Sequence, residues 1–108
     1  MAQYLLQASY TSETMAAFVK NPQDRTSIVA KAIENLGGNL IAGGMCFGDY
    51  DIAILANLPD NAAAAAFALA IGAGGACTSF KTTPILSVDE MMSAMKSAGS
   101  LGYKPPSA

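Results

Sequence analysis

No histidine occurs in this 108-residue chain, which removes the commonest general base and the commonest metal ligand together. Any proton transfer therefore falls to carboxylates, lysines, tyrosines and thiols. The sharpest candidate is Asp51, a carboxylate just inside the apolar run Ile52-Ala53-Ile54-Leu55-Ala56. Carboxylates are seldom buried without a partner. Asp51 thus stands either at the wet end of a strand, the default reading, or against a polar cavity. In a cavity Asp51 could act as a base, with Tyr50 or Lys81 as the electrophilic partner. The two cysteines, Cys46 and Cys77, sit in neither a metal-ligand nor a redox spacing. A zinc or haem site is not expected, no cofactor is expected, and both thiols are expected to stay free.

These residues need a scaffold, and the pattern around Asp51 supplies its centre. Gly48-Asp49 are turn residues between two β-like runs, Asn39–Phe47 and Tyr50–Leu58, which read as a hairpin. The second run is apolar on both faces, as in a covered strand. Gly43-Gly44 interrupt the first run and predict a bulge or a close backbone approach. Gln3 to Tyr10 alternates, with Tyr4, Leu6, Ala8 and Tyr10 on one side, and is the first strand. Thr11 or Ser12 caps a short helix through about Lys20.

Asn21-Pro22 reads as a helix restart, followed by the stripe Ile28, Val29, Ala32, Ile33 and Leu36 and closed by Gly37-Gly38. Arg25 and Lys31 fall off that stripe, and a solvated face is their default reading. Pro59-Asp60 caps an alanine-rich helix over Ala62–Ile71, thin enough to lie close to the sheet and anchored by Phe67 and Ile71. A glycine turn, Gly72–Gly75, follows it. Cys77–Leu86 is the fourth strand, with Pro84 marking an edge. Ser87-Val88-Asp89-Glu90 is a capping box opening a helix with Met91, Met92 and Met95 on one side, read as a packing stripe. The order β-α-β-β-α-β plus a terminal helix is the ferredoxin-like signature. It predicts an α+β fold with helices on one face of a four-stranded antiparallel sheet. One domain is expected over residues 1–98, with an extended tail over residues 99–108.

Composition narrows the partners. The chain is 52% hydrophobic and only 13% charged, an apolar excess that suggests a face buried against another subunit. A homo-oligomer formed through the open sheet face is the expectation. Net charge is −2 with no basic block, so the electrostatic footprint of a nucleic-acid binder is missing. The uncharged run Ala62–Cys77 falls short of the roughly 20 residues that span a bilayer. With no signal-peptide pattern at the N-terminus, a cytoplasmic protein without a membrane segment is expected.

Several of these features occur together in one known family. Gly48-Asp49-Tyr50-Asp51-Ile52, the start at Asn21-Pro22, Leu36-Gly37-Gly38, Pro59-Asp60 before the alanine-rich helix, and Lys81-Thr82-Thr83 resemble the GYD domain family along almost the whole chain. Here Asp49 stands between the glycine and the tyrosine. The resemblance implies a ferredoxin-like fold of the dimeric α/β-barrel type. It implies no activity and supplies no catalytic residues.

Side-chain parity names one candidate site. If Leu6 and Ala8 face the helices, then Gln7 and Ser9 face the open side. Asp51 and Asn57 join them from the third strand and Lys81 from the fourth. Two functions compete for this group. One is a non-catalytic, homo-oligomeric protein that binds a small ligand or serves assembly. The other is a cofactor-free, monooxygenase- or isomerase-like enzyme with Asp51, Lys81 and Tyr50 as its chemistry. A plain ion pair between Asp51 and Lys81 at the rim is the simplest alternative to both.

Overall fold

The computed structural model describes residues 1–107. Its elements run β1 (Ala2–Tyr10), α1 (Ser12–Lys20), α2 (Arg25–Asn35), β2 (Asn39–Met45), β3 (Ile52–Leu58), α3 (Asn61–Gly74), β4 (Cys77–Ile85) and α4 (Val88–Gly99). The four strands form one sheet in the order β2-β3-β1-β4, every neighbour antiparallel. This is the ferredoxin-like α+β arrangement that the element order predicts.

Alternation along the two central strands decides which face is covered. Tyr4, Leu6 and Ala8 of β1 and Ile52, Ile54, Ala56 and Leu58 of β3 are buried, while the residues between them are half-buried. The buried set meets Ile33 of α2 and Ala64 and Phe67 of α3, and these residues make up the core. Helix α2 lies on β2, and α3 lies on β4 and β3. The opposite face carries Leu5, Gln7 and Ser9 beside Ala53 and Leu55.

Caps fix most element ends. The side chains of Thr11, Asp60 and Ser87 accept backbone N–H groups at the starts of α1, α3 and α4. The Ser87 capping box is complete, with Glu90 Oε1 taking the Ser87 N–H at 3.0 Å. Several boundaries differ from the sequence reading. Asn21 closes α1 by donating its N–H to Ala17 O, and α2 starts at Arg25 behind the cap Asp24. A residue before proline is pushed out of the helical region, so the chain stays extended until Asp24 offers its carboxylate to Ser27 N at 3.1 Å. Helix α3 continues through Gly72 to Gly74 and ends on Gly75, whose left-handed φ of 74° is the usual helix terminator. The β2–β3 connection is a six-residue loop, Cys46–Asp51, closed by Cys46 N donating to Asp51 O at 2.8 Å. The strands are correspondingly shorter than the runs that suggested them. Within β2, Gly43 is the close backbone approach that the glycine pair predicts, since a Cβ there would collide with the Ala53 carbonyl oxygen; the register slips separately, between Leu40 and Ala42.

Cys46 follows one edge strand and Cys77 opens the other, about 14 Å apart on three strand spacings, and both thiols are free. Among the described residues, no helix is long and apolar enough to cross a membrane. After Ser100 the tail has no regular structure through Ser107, and Ala108 lies outside the described residues.

Candidate functional site

The polar group expected on the open sheet face is partly assembled. Gln7 of β1 stands directly opposite Lys81 of β4 and Ala53 of β3, so Gln7 and Lys81 share that face. Asn57 pairs with Gln3, four residues along β1 and about 13 Å from Gln7. Its amide donates to Asn39 Oδ1 at 3.3 Å. Ser9 Oγ donates to the Asp49 carbonyl at 3.2 Å and helps to pin the β2–β3 loop. Lys81 is exposed, and the half-buried Tyr50 gives its carbonyl to the Cys46 thiol at 3.3 Å.

Asp51 lies one residue before β3, where the ladder to β1 runs out. Its backbone N–H donates to Ala8 O at 2.8 Å. Its Oδ2 then accepts the Tyr10 N–H, also at 2.8 Å. The carboxylate therefore replaces the missing strand carbonyl and carries the ladder one step further. Lys81 stands two strands away across β1, about 10 Å in strand spacing.

A second candidate region lies on the other face of the sheet. A cavity of about 280 Å³ opens between α2, α3 and the central strands. Leu6, Ala8, Ile52, Ile54 and Phe67 form its apolar floor and wall, and Ala70, Gly74 and Ala76 leave it wide on the α3 side. The alanine-rich helix suggested close packing on the sheet. Ala64 does pack so, but one to three turns later the same small side chains leave a gap.

One end of the cavity is polar. Arg25, Tyr10 and Cys77 line it, and Asp51 is near enough to act electrostatically on the latter two. Arg25 begins α2 and turns toward the sheet, contrary to the solvated reading of that position. Its Nε is buried and finds no hydrogen-bond partner. Burial pushes the Tyr10 hydroxyl above its ordinary value of 10.0, the Cys77 charge adds to this, and Arg25 opposes it. Burial likewise raises the Cys77 thiol above 9.0, again against Arg25. Both groups are neutral near pH 7, so neither offers an anion to Arg25, whose Nε stays unpartnered at the cavity mouth. The ring of Tyr10 meets Phe18 of α1 edge-on at 5.0 Å, which fixes that wall.

Sequence reasoning missed this end of the site. Tyr10 was legible as helix-facing from its parity with Leu6 and Ala8. The role of Arg25 was not, because it depends on where α2 begins, and the Asn21-Pro22 signal set that start too early.

Comparison with known proteins gives one match. The family model described as the GYD domain matches residues 4–95. No curated protein and no solved structure matches the chain.

Proposed function

Because the chain belongs to the GYD domain family, whose membership carries no activity with it, we propose a function from the site: a homo-oligomeric protein that binds a small apolar molecule bearing one anionic oxygen group. The observation that carries this reading is the cavity between helices and sheet with the orphaned Arg25 Nε at its mouth. Ligand pockets are largely apolar with a few polar groups that orient the guest. A buried donor without a partner costs about 1–3 kcal/mol, and a ligand acceptor offsets that cost on binding. Subunits meet through the open sheet face, whose centre, Leu5 against Leu55, is apolar and has no helix over it.

Octanoate tests the ligand class, with octanol as a probe of the same body and no charge. Calorimetry on the full chain should find octanoate bound more tightly than octanol. Arg25→Gln should weaken octanoate by roughly ten- to a hundredfold, the worth of a hydrogen bond to a charged group, and leave octanol nearly unchanged. Octanoate should also slow alkylation of Cys77, which lines the cavity, and spare Cys46, which does not. Equal affinity for the two probes, or protection of neither thiol, defeats the proposal. The enzyme reading with Asp51 as base has less support, because its Oδ2 already accepts a backbone N–H.

A further inference from the structure

The last helix has no place in the core. Every described residue from Thr83 onward is exposed, and α4 buries no residue. Yet its sequence is built to be covered. Val88, Met91, Met92 and Met95 fall at i, i+3, i+4 and i+7, one apolar stripe, and all four are exposed, Val88 to 75% and Met95 to 63%. With Pro84, Ile85 and Leu86 they line an open apolar groove of about 490 Å³ at the β4–α4 elbow. A twelve-residue helix is marginal in water unless an apolar face is packed.

The dimensions of the chain lead to the same place. Its radius of gyration is 17.3 Å, against about 13 Å for a compact domain of this length. It exposes 7280 Å², where a folded monomer of this mass exposes about 5,600 Å². The excess, about 1,700 Å² per chain, exceeds the roughly 800 Å² that each partner contributes to a stable interface.

We propose that α4 is an exchanged arm: in a homodimer each copy lays the Val88–Met95 stripe on the other copy. Charge argues against other occupants. The stripe is flanked by Asp89, Glu90 and a single Lys96, so the arm lacks the basic polar face with which a helix settles on an anionic membrane. The same balance gives it nothing to offer a nucleic-acid backbone. A second copy supplies what the arm lacks, an unpartnered apolar surface, and two-fold symmetry buries both arms at once. The inference rests on the homo-oligomer reading above and adds the element that crosses between subunits.

Two measurements on the full chain test it. Sedimentation of the wild type at micromolar concentration should give a dimer, and the variant carrying Met92→Glu and Met95→Glu should dissociate at least tenfold more readily. Because α4 has no buried residue and neither methionine belongs to the core, that variant should keep the near-ultraviolet circular dichroism of the sheet domain. Independently, a photo-crosslinker at Ala98, one step further along the stripe, should join isotopically heavy chains to light ones in a co-refolded mixture. A wild type that sediments at 11.0 kDa overturns both this inference and the oligomer reading. A dimer that survives the two glutamates, or crosslinks confined to chains of one label, overturns the arm and leaves a sheet-face dimer standing.

Discussion

Asp51 shows how a residue singled out for chemistry can be held by the backbone. Its position at the end of an apolar strand was legible, since a carboxylate breaks the alternation there. The partner was not, because Tyr10 is 41 residues away and only the β1–β3 register brings the two together. The consequence is specific. Asp51→Asn keeps an acceptor oxygen for the Tyr10 N–H and should change stability by less than about 0.5 kcal/mol, as surface changes do. Asp51→Ala leaves that N–H without a partner and should cost about 1–3 kcal/mol. Denaturant unfolding of the two variants separates them, and equal losses would mean that the hydrogen bond does not matter.

Among the elements, helix starts with a cap written into the chain are legible in the sequence. Thr11, Asp60 and the Ser87–Glu90 box each stand where a helix begins. Helix α2 was misplaced because two signals compete, and the proline restriction on Asn21 overrides its value as a cap. The cavity could not be read at all. It is the space left between two helices, and a run of alanines reports equally well on close packing and on a gap. Strand β2 depends on one residue for its fit. Gly43 has φ of 119° and the Ala53 carbonyl oxygen where a side chain would begin. Gly43→Ala should therefore destabilise by more than about 1 kcal/mol, measured as a lower denaturant midpoint. Hydrogen exchange should quicken first in β2, an edge strand bonded only to β3.

For the whole molecule, the ferredoxin-like order was visible from strand and helix succession alone, and the surface left uncovered was visible as an excess of apolar residues. Which element lacks cover was not, since a methionine stripe looks the same whether it packs at home or on a neighbour. One global property follows from the two raised ionisations at the cavity mouth. Tyr10 and Cys77 hold their protons more tightly folded than unfolded. The stability they contribute is complete below their ordinary values of 10.0 and 9.0 and is lost as pH climbs through the higher folded values. Denaturant midpoints should therefore fall from pH 9 upward, and Tyr10→Phe should flatten the upper part of that fall. A wild-type profile flat to pH 11 would contradict the burial of these groups.

Of the four strands, the central strand β1 is the first to leave the ribosome. Its neighbours are Ile52–Leu58 and Cys77–Ile85, so neither of its edges has a native partner until half of the chain, and then most of it, has been synthesised. At roughly 5–20 residues per second, β1 waits some seconds with Tyr4, Leu6 and Ala8 unpaired. The β2–β3 hairpin, whose halves are separated by six residues, can close as soon as β3 emerges, which is also when β1 gains its first partner. Co-translational folding of this domain therefore begins at the β2 edge of the finished sheet and ends at the β4 edge, and one side of β1 stays open to wrong pairing until β4 emerges.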